Sequence, residues 1–441
     1  MALPVIAIVG RPNVGKSTFF NRVLGTRLAV VDDHPGVTRD RLASVAEWCG
    51  YRFRLVDTGG WVPESADAMD EAILAQVVQA VEACDHVIFL VDSRAGVHPH
   101  DRVVARELHR RGVPTLLAAN KTDHAAVDAE AVEFNELGFA PVYPVSAEEG
   151  RGVADLLDAV IATLPEHAKI DAAPADHSDI RVAIVGRPNV GKSSLVNRLL
   201  GEERMIVDDR PGTTRDAIDA PFRYHGRVIT LVDTAGIRRR LDSQPRFEFY
   251  ATLRAIRALD SADVAVLVLD ATAELNRQDL RIASLIEQSG AASVVVVNKW
   301  DLPEKNDAST GEWVRRIEEQ IPFLSHSPIL FVSAVTTQRI HRVPEAIAEV
   351  WTAARTEVPT ATWNAVLAKA VEHNPPRSRG SGQRPIKIYY ATQVRTAPPT
   401  VALFVSEPTR MAPDYLRYLV GQFRQALGFI GSPIRIQLRK S

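Results

Sequence analysis

The octapeptide Gly-Arg-Pro-Asn-Val-Gly-Lys-Ser occurs twice in this 441-residue chain, at Gly10–Ser17 and again at Gly186–Ser193, 176 positions later. The same offset carries Val30–Asp40 (VVDDHPGVTRD) onto Ile206–Asp216 (IVDDRPGTTRD), and Leu55–Gly60 (LVDTGG) onto Leu231–Gly236 (LVDTAG). It grows to 178 between Asn120–Asp123 (NKTD) and Asn298–Asp301 (NKWD), and to 187 between Ser146-Ala147 and Ser333-Ala334. An offset that holds within motifs and changes between them describes two homologous domains with loop insertions. A period this long is a whole domain rather than a solenoid unit.

Each copy alternates apolar runs with amphipathic stretches. Strands are predicted at Val5–Val9, Arg52–Val56, Val87–Asp92, Thr115–Ala119 and Val142–Val145 in the first copy. In the second they fall at Arg181–Val185, Val228–Val232, Val264–Asp270, Ser293–Val297 and Ile329–Val332. Helices fit between them, for example Glu71–Ala83, Asp101–Arg111 and Gln278–Gln288. Strands that are apolar throughout belong in a mostly parallel sheet covered on both faces, so each copy is expected to be a doubly wound α/β domain. The first domain is placed at residues 1–164 and the second at 179–356, with a linker over 165–178 that is rich in Ala, Asp and Pro.

The remainder, 357–441, changes character. A helical stretch (Thr362–His373), two strands (Lys387–Gln393, Thr400–Ser406), a long helix (Ala412–Leu427) and a last strand (Pro433–Leu438) make a small α+β domain of order αββαβ. After Pro359, 12 Lys and Arg residues stand against Glu372, Glu407 and Asp414, a net +9. The whole chain carries -2, which leaves -11 for residues 1–359, the two repeated domains with their linker. The near-neutral total therefore hides a basic tail suited to a polyanionic partner. The tail aromatics Tyr389, Tyr390, Phe404, Tyr415, Tyr418 and Phe423 mostly alternate with apolar neighbours and are expected in its core. Arg377–Arg384 is the favoured phosphate-contacting loop, and Gly428-Phe429-Ile430-Gly431 reads as a turn.

No apolar run approaches the length of a membrane span. The two cysteines, Cys49 and Cys84, show no metal or redox spacing, and a reducing cytoplasm is the expected location.

The octapeptide, placed after a strand and before a helix, is the phosphate-binding P-loop. The loop residues Gly10, Arg11, Pro12, Asn13, Val14, Gly15 and Thr18, and Gly186, Arg187, Pro188, Asn189, Val190, Gly191 and Ser194, are expected to wrap phosphate at a helix N-terminus, the non-proline ones through their backbone N–H groups. Lys16 and Lys192 would neutralise β- and γ-phosphate oxygens, and the hydroxyls of Ser17 and Ser193 would ligate Mg²⁺. Asp57 and Asp233 end apolar strands, where a carboxylate holds the Mg²⁺ shell through water. Thr38 and Thr214 are candidates for a further Mg²⁺ contact. Gly60 and Gly236 would offer a backbone N–H to the γ-phosphate.

The base is read by a second motif. Asp123 and Asp301 can each accept from N1–H and the exocyclic amine of guanine, whereas adenine would leave a buried carboxylate unpaired. Asn120 and Asn298 are expected to brace the loop, Lys121 and Lys299 to pack on the base, and Ser146-Ala147 and Ser333-Ala334 to close it. GTP and GDP are therefore the expected ligands. His98, His100 and Asp101 have metal-like spacing, but they read better as polar loop residues.

Two GRPNVGKS/PGxTRD/DTxG/NKxD domains followed by a basic domain ending GFIGSPIRIQLRK resemble the Der (EngA) family of bacterial ribosome-assembly GTPases over essentially the whole chain. The resemblance implies GTP hydrolysis, a KH-like C-terminal domain, and association of a monomeric protein with the large ribosomal subunit and its rRNA. In Ras-like enzymes a glutamine after the DxxG glycine orients the attacking water. Trp61 and Ile237 stand there instead, so slow intrinsic hydrolysis is expected. Asn13 and Asn189 match the asparagine that helps hold K⁺ in potassium-dependent relatives, with a simple turn cap as the alternative. Arg238–Arg240 follow only the second DTAG and are either a nucleotide-moved RNA contact or a solvated loop. The second closing loop, Val335-Thr336-Thr337, lacks the glycine found at Gly150, which weakens its expected backbone contact to guanine. The rival readings are a GTPase serving tRNA modification, and an RNA-binding scaffold with structural nucleotide sites.

Overall fold

The computed structural model describes residues 3–25, 43–58, 77–78, 81, 84–123, 130–165, 168, 179–201, 219–234, 248–303, 309–376 and 386–440. The chain divides into two compact units, Met1–Ala175 and Asp176–Ser441.

In the first unit, β1 (Val5–Val9) lies between β3 (Tyr51–Asp57) and β4 (His86–Asp92), which is followed by β5 (Thr115–Asn120) and β6 (Val142–Pro144), all parallel. Every residue of β1 is buried, because α1 (Lys16–Gly25), α2 (Pro99–Arg111) and α3 (Val153–Thr163) accompany a sheet with two covered faces. Ile6, Ile8, Phe19, Phe53, Leu90 and Leu157 fill one side of it. The sheet has one more strand than the apolar runs predict. β2 (Ala43–Trp48) pairs antiparallel with β3 at the edge, and its half-covered burial gives no continuous apolar signal. Of the linker placed at 165–178, Ala168 is 1% exposed in the first domain's core, with its N–H on the Pro165 carbonyl.

The second unit repeats this sheet. β7 (Ile180–Val185) lies between β9 (Arg227–Val232) and β10 (Val264–Asp270), with β11 (Ala292–Asn298) and β12 (Ile329–Phe331) beyond, again all parallel. The unpredicted antiparallel edge strand is β8 (Ala220–Tyr224), where Pro221 is tolerated because an edge strand need not donate on both sides. The described helices here are α4 (Lys192–Gly201), α5 (Glu248–Asp260), α6 (Arg277–Ser289), α7 (Ser309–Gln320) and α8 (Arg342–Ala354). Of the helix predicted at Glu71–Ala83, only Val77, Val78 and Val81 are described, all helical.

The tail has the predicted αββαβ order: α9 (Thr360–His373), β13 (Ile388–Arg395), β14 (Thr400–Val405), α10 (Pro413–Leu427) and β15 (Arg435–Lys440). β14 is central, antiparallel to β13 and parallel to β15. Its core holds Trp363, Leu403, Leu419, Phe423 and Phe429, with the Trp363 indole against both phenylalanine rings. Three of the aromatics expected inside are not there: Phe404 is half-buried on the other face of the sheet, and Tyr389 and Tyr390 are 53% and 40% exposed on β13. Their strand is an edge with one open face, so alternation there does not mark the core.

The tail also packs on the second domain. Gly428–Gly431 is a turn, as expected, and it reaches that domain: Ser293 N–H donates to Gly431 O (2.6 Å) and Gly431 N–H to His326 O (2.8 Å). Gly431 sits at φ 67°, and a Cβ there would lie 2.3 Å from Val350 Cγ1, so only glycine fits. Arg435 Nη2 donates to Gln288 O (3.1 Å) and Ala397 N–H to Ala354 O (3.0 Å).

Candidate nucleotide-binding sites

In each domain the central strand (β1, β7) runs into the P-loop and then into a helix (α1, α4), so the loop lies at the carboxyl edge of the parallel sheet. The P-loop lysines are held in nearly identical positions. Lys16 Nζ donates to Gly10 O (2.7 Å) and Arg11 O (2.8 Å), and Lys192 Nζ to Gly186 O and Arg187 O (both 2.7 Å). An ammonium has three N–H donors, so each lysine retains one for an anion. Burial lowers both pKa values to about 8; the Asp57 carboxylate opposes the shift at Lys16, and Asp279 opposes it at Lys192. Both are cations at strained cost, suited to a phosphate that restores their full charge.

Ser17, Thr18, Ser193 and Ser194 are exposed in the first turn of their helices, and Pro12 and Pro188 lie in the loops. Asn13 and Asn189 take left-handed φ values of 65° and 66° with exposed side chains. Asp57 ends β3 and is 3% exposed. Its counterpart Asp233 differs: it lies past β9 at φ 55°, with its N–H on Asp219 Oδ1 (3.3 Å). Thr38, Gly60, Trp61, Thr214, Gly236, Ile237, Arg238–Arg240 and Arg377–Arg384 lie outside the described residues.

One asparagine ties each P-loop to each base-reading loop. Asn120 Nδ2 donates to Val14 O (2.8 Å) while its Oδ1 accepts from Ala147 N–H (2.9 Å). Asn298 does the same with Val190 O (2.9 Å) and Ala334 N–H (3.1 Å). The approach is so close that a Cβ on Gly15 would stand 2.4 Å from Asn120 Nδ2, and one on Gly191 2.2 Å from Asn298 Nδ2.

Lys121 and Lys299 occupy left-handed backbone positions and bind the carboxylates that end β4 and β10: Lys121 Nζ to Asp92 Oδ2 (2.6 Å), Lys299 Nζ to Asp270 Oδ2 (2.7 Å). Both ammoniums are anchored, which leaves the aliphatic stems as the parts free to cover a flat ligand. In the first domain the Asp123 carboxylate accepts from Ser146 Oγ (2.8 Å) and from Arg94. In the second, Asp301 Oδ1 is buried without a hydrogen-bond partner among the described residues. An orphaned buried carboxylate oxygen calls for a donor, and the Watson–Crick edge of guanine supplies two.

The second closing loop follows the path of the first despite its missing glycine. Ser146 N–H donates to Arg151 O (2.9 Å) and Ser333 N–H to Gln338 O (3.1 Å). Gly150 (φ 85°) and Gly152 (φ 68°) are matched by Thr337 (φ 62°) and Arg339 (φ 60°). The loop's hydrogen bonds hold two non-glycine residues in the left-handed region.

The metal-like spacing at His98, His100 and Asp101 is a helix cap. His98 Nδ1 accepts from His100 N–H (3.2 Å), and Asp101 Oδ2 from His98 N–H (3.1 Å), a capping box that Asn276 and Asp279 repeat on α6. No group of three or more metal-ligating side chains occurs among the described residues. Asp101 and Asp279 also face the P-loop, 3.5 Å from Arg11 Nε and Arg187 Nε. Sequence reasoning overlooked these pairs, although each recurs in both copies. That recurrence was the available signal.

Two α/β domains, each with a desolvated P-loop lysine and an asparagine-latched NKxD loop, define a tandem P-loop GTPase. A family model described as "50S ribosome-binding GTPase" matches residues 5–121 and 181–299. One described as "KH-domain-like of EngA bacterial GTPase enzymes, C-terminal" matches 357–439. GTPase Der of Gemmatimonas aurantiaca is 46% identical over 442 residues, and GTPase Der of Moorella thermoacetica 47% over 442; each alignment covers 100% of this chain and 99% of the relative. The chain belongs to the Der (EngA) family of GTPases, and its tail is the KH-like domain of that family. Among solved structures, Era in complex with MgGDPNP and a piece of 16S ribosomal RNA covers 60% of this chain and 93% of its own, at 23% identity and a TM-score of 0.31. Among the described residues no helix is long and apolar enough to cross a membrane.

Proposed function

We propose that this GTPase acts as a monomeric assembly factor on the large ribosomal subunit in the cytoplasm, with GTP binding and hydrolysis switching its contacts to rRNA. The observation that carries the catalytic part is the duplicated latch: one asparagine joins the phosphate loop to the base loop in each domain. Nucleotide identity at one end is thereby coupled to phosphate geometry at the other. The description of the family matched by both repeated domains, together with the +9 tail, supports the ribosomal part.

The chain's own residues divide the work as follows. Backbone N–H groups of Gly10–Thr18 and Gly186–Ser194 cradle the β-phosphate. Lys16 and Lys192, already desolvated, place their remaining N–H toward developing negative charge without solvent reorganisation, the arrangement that gives electrostatic catalysis its magnitude. Asp123 and Asp301 accept from guanine, and the Lys121 and Lys299 stems cover its face. Ser17 and Ser193 would hold a Mg²⁺ through their hydroxyls, with Asp57 and Asp233 as outer partners and Thr38 and Thr214 as further ligands. Bound Mg²⁺ supplies positive charge against the phosphate oxygens. The exposed Asn13 and Asn189 side chains make no hydrogen bond to another described residue and are free to accept K⁺, whereas a turn cap would bond its own backbone. Gly60 and Gly236 sense the γ-phosphate.

Single-turnover hydrolysis with and without separated ribosomal subunits tests the switch, and stimulation by large subunits is expected. Co-sedimentation in GDP and in a non-hydrolysable GTP analogue tests the partner. Binding to neither subunit in either state overturns the ribosomal reading. Equal turnover in KCl and NaCl removes the K⁺ assignment.

A further inference from the structure

The side of the tail sheet turned away from its core is divided in two. On β14, Val401, Leu403 and Val405 face the core, so Thr400, Ala402 and Phe404 face the other way. At the Thr400 end the sheet meets the second domain: Arg435, register partner of Thr400, bonds Gln288, and Pro398 and Arg435 crowd Gly290. At the Phe404 end it is open. Tyr390, Phe404 and Arg439 are consecutive register partners across all three strands. The Tyr390 ring stacks on Phe404 with centroids 4.2 Å apart and planes 13° from parallel. Tyr390 is nevertheless 40% exposed, and Tyr389 beside it 53%.

The surroundings of this stack are basic. Arg439 stands in the row itself and the exposed Lys387 precedes β13, while Arg395 and Arg435 pair with Thr400 at the docked end; the three strands carry no acidic residue. The nearest acid along β14's exit, Glu407, lies beyond the strand. A flat aromatic surface with cations beside it and no acid on its strands suits one kind of polyanion: a single strand whose bases are unstacked and whose phosphates run alongside. Duplex RNA offers phosphates but no accessible base face.

We infer that the Tyr390–Phe404–Arg439 row is a stacking platform for an unpaired base of single-stranded RNA, with Lys387 and Arg439 holding the flanking phosphates. The platform is separate from the Gly428–Gly431 turn, whose backbone is used in docking to the second domain. The inference rests on the rRNA reading above and narrows it to one face and one chemistry.

The test uses the full chain and a single-stranded oligoadenylate of about 12 nucleotides carrying one central 2-aminopurine, within the site sizes such surfaces span. Binding to the wild-type protein quenches the probe, and unlabelled single strand displaces it better than duplex RNA of equal length. Tyr390→Leu, which keeps apolar cover over Phe404, weakens binding at least about fivefold and removes the quench, and Tyr390→Phe restores both. Arg439→Gln weakens binding while guanine-nucleotide affinity and melting stay unchanged. The inference is overturned if wild type leaves the oligonucleotide unbound, if Tyr390→Leu binds and quenches like wild type, or if it binds the probe normally but loses ribosomal subunits, which would assign the face to a protein. Co-sedimentation with large subunits judges the wider reading separately, since it can persist when the oligonucleotide result fails.

Discussion

The Arg94 guanidinium donates to the Asp123 carboxylate in the first domain. Its counterpart 178 positions later is Thr272, whose hydroxyl binds Asp270 instead (2.7 Å), and Asp301 Oδ1 stays unpartnered among the described residues. The two NKxD carboxylates thus start from different states. A nucleotide entering the first site must displace a cation, although Arg94 is two-thirds exposed and the pair is screened by solvent. Arg94→Ala is expected to raise the GDP association rate at the first site by about two- to fivefold. Stopped-flow with a fluorescent GDP, in an Asp301→Asn background that silences the second site, reads it. A slower rate would mean that Arg94 holds the nucleotide rather than blocking it.

Removing the latch should cost stability as well as nucleotide affinity. Asn120→Ala strands the Val14 carbonyl and the Ala147 N–H, both buried, at about 1–2 kcal/mol each. The first unit is expected to lose about 2–4 kcal/mol by denaturant unfolding, with a matching fall in GDP affinity. Asn298→Ala should do the same in the second unit.

The P-loop lysines make nucleotide binding proton-linked. Burial holds Lys16 and Lys192 at about 8 against an ordinary 10.5, so between those values the unfolded chain binds more protons than the folded one. Each lysine's penalty is complete below pH 8 and is relieved as pH rises toward 10.5, so the nucleotide-free protein gains stability over that window. Phosphate favours the charged ammonium and reverses the shift. Calorimetric titration with GDP near pH ~8.5, in buffers of different ionisation enthalpy, should reveal proton uptake, and affinity should fall as pH rises beyond about 8. Identical heats in all buffers would refute the linkage.

Thr337 occupies at φ 62° the place that Gly150 fills in the first domain. A non-glycine residue there costs about 1–2 kcal/mol, of which glycine's greater unfolded-state entropy returns part. Thr337→Gly is expected to stabilise the second unit by about 0.5–1 kcal/mol in urea unfolding, with nucleotide affinity unchanged.

Gly431→Ala places a methyl against Val350 in a backbone conformation that alanine resists. The Ser293–Gly431 and Gly431–His326 bonds should break, at about 1–3 kcal/mol for the overpacking alone. The tail is then expected to melt apart from the second domain, visible as an added calorimetric transition.

Much of this molecule was legible in its sequence because two kinds of signal are local. Phosphate binding needs glycines and a lysine at fixed spacing after a strand, and the buried strands of the two parallel sheets announce themselves as apolar runs. The edge strands β2 and β8 were missed because a half-covered strand alternates weakly, and Pro221 argued against one of them. The Arg11–Asp101 and Arg187–Asp279 pairs join segments about 90 residues apart, so only folding reveals them, although their repetition in both copies was there to be read. The sequence by itself determined the duplication, the nucleotide class and the charge division between domains and tail, since each follows from residue identity and spacing. The tertiary structure alone decided that Gly431 docks the tail, that Asp123 is engaged while Asp301 Oδ1 has no partner among the described residues, and that Tyr390 lies on the open face of its sheet. Burial and partnership are properties of surfaces brought together from distant segments, and no local pattern encodes which face another element will cover.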